Sequence, residues 1–311
     1  MRVGYLCMES VFSVRPLQAL LQAGHEVRFV MRPVGPLATR TQPILKRHRG
    51  FDIAVKRLLG RHAEERLARD PLALAADADI PAWLVGNASA PDAVRLVRRE
   101  RVDLLVISFF NQLLKSNMLE AAPLGAVNLH PSLLPAYRGP APLFWTFRDG
   151  AEESGLTLHR VAPGEDDGDI LEQRSVPVPL GTPGEDLVDE LAELAGEVVV
   201  GALGALERGT AQPRPQDPTR VTRAPRPKDA DLLVDAGLGA RRAFHFVRGV
   251  GRWNPLSVDV AGTRVRVIDA VELDETRRVP GEVALVGNTV CLGCADGVVM
   301  LRAQGVSGAA G

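Results

Sequence analysis

The sequence predicts an α/β protein, a doubly wound parallel sheet followed by a smaller β-rich domain. Three observations carry that reading. Short apolar runs alternate with amphipathic segments over the first 110 residues, the pattern of parallel strands joined by crossover helices. Residues 209–228 then turn proline-rich, with PRPQDP and APRPK, as an extended connector with little to bury does. Beyond them, short valine-rich runs separated by Gly, Asn and Asp suit a small barrel or open sheet.

In chain order, residues 3–8 form the first strand, 16–23 a helix and 25–30 the second strand, with Gly24 where a helix C-terminal glycine belongs. Residues 93–99 read as a helix and 103–108 as a strand whose LLVI run suits burial on both faces. A strand over 126–130 ends in a loop holding four prolines and a glycine. A further strand, 156–161, runs into an acidic turn, and a helix over 184–206 starts after Thr182 and Pro183. After the connector come a helix over 241–249 and strands over 257–260, 264–271, 281–286, 289–292 and 298–301. The expected domains are 1–208 and 229–306, with 209–228 between them.

Apolar residues make up 46% and charged residues 24%, which favours neither a disordered nor a membrane class. The N-terminal MRVGYLCM has no small-residue cleavage site and reads as a buried strand. Three cysteines, Cys7, Cys291 and Cys294, are too few for a disulfide scaffold and fit a reducing cytoplasm. A net charge of −1 leaves nucleic-acid contact to local patches. Residues 31–70 hold ten Lys or Arg against four Asp or Glu, and 220–278 twelve against eight.

The informative segment is GAVNLHPSLLPAYRGPAPLFW, residues 125–145. Side chains two apart on a strand share a face, so Asn128 and His130 point the same way at the strand's carboxyl end, the edge where open α/β sheets bind ligands. In the turn GEDDGD, residues 164–169, a carboxylate is placed to hydrogen-bond His130 and fix its tautomer. Asn128 can donate to an oxyanion. A turn-capping Asn, a His satisfied by a backbone carbonyl and a solvated acidic turn give the same pattern, so both a catalytic and a structural role stand at this point.

Asn128, His130, the SLLP of Ser132, Leu133, Leu134 and Pro135, then Tyr137, Arg138 and Gly139, and Asp166 with Gly168 downstream, resemble the folate-dependent formyltransferase family. The resemblance extends to FFNQLL, where Phe109, Asn111, Gln112, Leu113 and Leu114 match the family's folate-lining loop. It implies a Rossmann-like catalytic domain, a barrel-like (OB-like) C-terminal domain, 10-formyltetrahydrofolate as co-substrate and no metal. Asn128, His130 and Asp166 match the catalytic trio. The mechanism this resemblance implies has the amine attacking the formyl carbon, Asn128 and protonated His130 holding the oxyanion, and Asp166 orienting His130, contacting the folate and relaying the proton. Ser132 to Pro135, Arg138 and Gly139 are candidates for substrate contact. Asp167 departs from the family's small residue, and its charge tends to raise one carboxyl pKa; Asp169 has a structural role.

The resemblance leaves the acceptor as either methionyl-tRNA or a nucleotide-linked amino sugar. The basic stretches, with Arg220, Arg223, Arg226 and Lys228, suit tRNA phosphates, or are solvated basic segments. NLHPSLLP, PLFW and TLHRV look closer to amino-sugar formyltransferases, with Trp145 or Phe109 as a platform or as core. A hydrolase that releases formate from the folate shares the trio and is the alternative; the intact trio argues against a pure binding module. No membrane partner is implied. Cys291 and Cys294 read as buried small hydrophobes, His159 as a core or site-supporting histidine, and Trp253 as core of the second domain.

Overall fold

A computed structural model describes residues 1–34, 45–48 and 69–305. Most of the basic stretch over 31–70 therefore lies outside the described residues, as does residue 306. Strand β1 (Arg2–Cys7), helix α1 (Val11–Gln22) and strand β2 (Glu26–Pro33) open the chain. The α1 helix starts before the expected position because Ser10 caps it, accepting from the Phe12 N–H at 3.1 Å. Then come β3 (Leu45–Arg47), α2 (Pro71–Asp77), β4 (Ala82–Val85), α3 (Pro91–Arg99) and β5 (Leu104–Ser108). After them follow α4 (Ser116–Leu119), β6 (Ala126–His130), α5 (Pro142–Asp149), β7 (Glu153–Arg160), β8 (Ile170–Pro177) and α6 (Gly184–Glu207).

These strands form one sheet in the order β3-β4-β2-β1-β5-β6-β7-β8. β4, β2, β1, β5 and β6 run parallel, while β3 and β7 pair antiparallel with their neighbours. The chain winds outward from β1 through β2, then returns to β5 on β1's other side. That reversal is the switch point where such sheets open a ligand crevice at the strands' carboxyl ends. Every residue of β5 is buried, as its unbroken apolar run requires. Leu6, Phe29, Met31, Leu105 and Ile107 pack with Val94, Val97 and Met118 in one apolar cluster.

Beyond residue 209 lie α7 (Ala240–Val250) and strands β9 (Ser257–Val260), β10 (Thr263–Asp274), β11 (Val283–Val286), β12 (Thr289–Cys294) and β13 (Gly297–Ala303). They form an antiparallel sheet in the order β11-β12-β13-β10-β9. It curls so that the outer strands β11 and β9 approach each other, the barrel-like form expected.

The chain makes two compact units that do not divide at one point. One comprises Met1–Arg138, Gly155–Ser175 and Val188–Val221; the other takes Gly139–Ser154, Val176–Leu187 and the chain from Thr222 onward. Residues 142–149 thus pack with the C-terminal helix α7 although they precede β7. The reason is aromatic: Phe144 meets Phe246 edge-on at 5.2 Å, and Phe147 lies 5.0 Å from His245. Trp253, expected in this core, is instead 42% exposed. Cys291 and Cys294 are buried on β12, and burial pushes the Cys294 thiol up to about 11.

At Gly249 a methyl group would lie 2.1 Å from a Phe147 ring carbon. Alanine gains about 1 kcal/mol in helix propensity, but overpacking costs about 1–3 kcal/mol. Gly249→Ala should therefore lower the urea midpoint, and a raised midpoint would contradict this packing.

Candidate active site

Strand pairing builds the site. In the antiparallel register of β6 on β7, Asn128 faces His159 and His130 faces Thr157, so four side chains share one face. The intervening Val127 and Leu129 are buried on the other. β6 stops at Pro131, and the loop after it is tied down through Thr157, which is fully buried. Its hydroxyl donates to the Ser132 carbonyl at 2.6 Å and accepts from the Leu134 N–H at 3.1 Å and Gln173 Nε2 at 2.8 Å. The Ser132 hydroxyl donates to the Ala136 carbonyl at 2.7 Å. Leu134 and Pro135 are buried, with a cis peptide between them, and Leu133 packs over Gly155. These four residues thus build the loop. Tyr137 follows with φ +59°, and its carbonyl lies 2.9 Å from His130 Nε2.

Asp166 sits where the strand pair's polar face ends. Its Oδ2 lies 3.5 Å from His130 Nδ1, and its Oδ1 accepts from Asn128 Nδ2 at 3.4 Å and lies 3.6 Å from His159 Nε2. His159 Nδ1 is 2.8 Å from the Arg160 carbonyl and Nε2 is 3.1 Å from Asn128 Nδ2. A carbonyl only accepts, so Nδ1 of His159 carries a hydrogen and its neutral Nε2 can accept from Asn128. His159 is therefore the group that aims the Asn128 amide, a role the sequence left undefined.

The same logic applies to His130. Nε2 must donate to Tyr137, which leaves Nδ1, facing Asp166, as the nitrogen that gains or loses a proton. Burial lowers the His130 pKa, partly opposed by the Asp166 charge and the Tyr137 carbonyl, while His159 adds to the lowering.

Asp166 itself has φ +52°, a left-handed conformation that non-glycine residues adopt at some expense. Its turn is held tightly. A methyl at Gly168 would lie 1.9 Å from the Arg160 carbonyl, and one at Gly164 would lie 1.9 Å from Asp167 Oδ2. Asp167 thus folds back over Gly164, while Asp166 faces the histidines; the Asp169 carbonyl accepts from the Arg160 N–H. The carbonyls of Asp166 and Gly168 each accept from Gln216 Nε2 at 2.8 Å. Arg138 donates to Gln216 Oε1 through Nε at 3.0 Å and Nη2 at 2.7 Å.

The connector, expected to bury little, thus reaches the site, and the Arg214–Ile170 bridge pairs it with the start of β8. Nothing in the composition of residues 209–228 marks Gln216.

After β5, Phe109 is half exposed with φ +53° and Leu113 is exposed, while Leu114 is buried. Gln112 accepts from the Ala88 N–H at 2.9 Å and donates to the Gly86 carbonyl at 2.7 Å, fixing this loop. Asn111 keeps a buried Oδ1 without a donor among the described residues. Gly139, with φ +123°, closely approaches the Ala224 carbonyl. Trp145 Nε1 donates to the Pro225 carbonyl. Arg220, Arg223, Arg226 and Lys228 are all exposed.

Residues 57–203 match the family described as Formyl transferase. Over 293 residues the chain is 30% identical to methionyl-tRNA formyltransferase of Geobacter sulfurreducens, covering 94% of this chain and 85% of that one. The chain belongs to the formyltransferase family. It is a transferase. A second relative, methionyl-tRNA formyltransferase of Anaeromyxobacter dehalogenans, is 32% identical over 310 residues, covering 97% and 90% of the two chains. Among solved formyltransferase structures, the N-formyltransferase of Helicobacter canadensis, complexed with folinic acid and dTDP-3-aminofucose, shares the fold. Its TM-score is 0.65 at 14% identity, over 97% of this chain and 98% of that one. No helix among the described residues is long and apolar enough to cross a membrane.

Folding lowers the His130 pKa, so the unfolded chain binds that proton more readily. The stability tied to His130 is complete above about pH 6.5 and is lost as pH falls through the folded value. In ring-nitrogen NMR, His130 should titrate below about 6.5, and lower still in Asp166→Asn, which removes the raising charge. An upward shift in that variant would overturn the assignment.

Proposed function

We propose that the protein transfers the formyl group of 10-formyltetrahydrofolate to a primary amine, with Asn128, His130 and Asp166 as its catalytic groups. The observation that carries this is the convergence of all three at the end of β6, with Asp166 within 3.5 Å of both partners. The folate reading is supported by the family and by the exposed Phe109 and Leu113 beside that strand end. The neutral amine attacks the formyl carbon. As negative charge develops on the formyl oxygen, the Asn128 amide and protonated His130 Nδ1 stabilise it; the long Asn128 contact to Asp166 is weak enough to be exchanged for that oxyanion. Asp166 favours the protonated form of His130 against the lowering by burial and takes part in passing the amine proton toward the departing folate nitrogen. This chemistry uses side chains alone and calls for no metal.

Methionyl-tRNA is the acceptor supported by the two near-full-length relatives. Exposed Arg220, Arg223, Arg226 and Lys228 suit phosphate contact, in keeping with a cytoplasmic enzyme. A nucleotide-linked amino sugar is the second reading, favoured by TLHRV, whose His159 lies against Asn128.

Tetrahydrofolate release, followed with methionyl-tRNA, with amino-sugar nucleotides and with no acceptor, separates these readings. Release should require methionyl-tRNA. His130→Ala should lower kcat by about 10²–10⁴-fold and Asn128→Ala by about 10²–10³-fold. Release without acceptor would make water the nucleophile and the protein a hydrolase; full activity in His130→Ala would sink the trio.

A further inference from the structure

We infer that Gln216, clasped by Arg138, is a positioning residue that sets the spacing between Asp166 and His130. The inference rests on the catalytic reading of Asp166 given above.

The geometry is directional. A guanidinium has only donors, so the two hydrogen bonds from Arg138, at 3.0 and 2.7 Å, require the oxygen of the Gln216 amide on that side. The amide nitrogen must then face the acidic turn. There its two hydrogens meet two acceptors, the carbonyls of Asp166 and Gly168, each at 2.8 Å. All of the side chain's principal bonding capacity is used, and no rotation of the amide satisfies both sides. The turn needs such a brace, because Asp166 has left-handed backbone at φ +52°, a conformation that persists only when its surroundings enforce it.

The clasp joins both halves of the site. Arg138 follows Tyr137, whose carbonyl holds His130 Nε2 at 2.9 Å. One end of the chain of contacts therefore fixes the His130 ring and the other fixes the backbone that carries Asp166. Between them stands a single amide. The 3.5 Å separation of His130 Nδ1 from Asp166 Oδ2 is what this arrangement holds, and neither Arg138 nor Gln216 needs to touch substrate for that purpose.

Gln216→Glu tests the idea with almost no change in shape, since a carboxylate would set oxygen against two carbonyls. Steady-state kinetics with 10-formyltetrahydrofolate and the accepted amine should show kcat lower by about tenfold to a hundredfold, with the folate KM within about twofold. In an Asp166→Asn background the same change should produce no further loss, because there is no longer a carboxylate to place. Arg138→Met, which frees the Gln216 oxygen without adding charge, should show the same kcat-selective and non-additive pattern, and it stands in if the Glu variant does not fold. Losses that multiply with those of Asp166→Asn, or an unchanged kcat, would overturn the positioning role. If Asp166→Asn alone keeps full kcat, the catalytic reading of Asp166 falls first and the clasp with it.

Discussion

The site depends on one pairing, the antiparallel ladder between β6 and β7. It sets Asn128 against His159 and His130 against Thr157, and side-chain period on a strand leaves no tolerance in that arrangement. A slip of one residue would turn Asn128 and His130 toward the apolar side now held by Val127 and Leu129 and leave the polar face empty. Burial of those two residues therefore guards the chemistry, because any other register would place polar groups in the core. Thr157 extends the same constraint into the loop, where one hydroxyl meets three partners around Ser132, Leu134 and Gln173.

The polar groups are arranged so that few choices remain open to each. Backbone carbonyls take the Nε2 hydrogen of His130 and the Nδ1 hydrogen of His159, which fixes both tautomers without spending a charge. Asp166 is directed at both rings, while its neighbour Asp167 turns back over Gly164. The extra acid in this turn thus lies over Gly164, while the ion-pair contacts to His130 and His159 are made by Asp166.

Much of this was legible in the sequence, for reasons specific to each element. The strand at residues 126–130 ends where a proline follows, so its bounds and the shared face of Asn128 and His130 could be read directly. The β5 run announced burial on two sides. Strands β4 and β8 escaped notice: AWLV is short, and ILEQRSVP carries charges that obscure its pairing. The proline-rich loop ends at Pro142 in the sequence and the helix over 142–149 had no reading of its own, since it gains its stability from aromatic contacts with the distant residues His245 and Phe246. Trp253 looked like core by residue type, yet it lies where the packing leaves it to solvent. His159 became interpretable only through its cross-strand partner. Gln216 had no local signature, because its role exists only where three distant segments meet.

The path of the connector has a consequence for anyone recombining this enzyme with a relative. Its composition invites a join near residue 209, as though everything after it were a tether of adjustable length. Yet the Arg214–Ile170 bridge pins the strand's register, and Gln216 lies two residues further along. Extended chain alternates its side chains, so adding or dropping one residue beside Pro215 would turn the amide away from the acidic turn. Proline on both sides, at 213, 215 and 218, limits the conformations lost when this stretch is ordered. A chimera that exchanges C-terminal halves should therefore be spliced beyond Gln216, with residues 209–216 inherited from the same parent as the strands they brace.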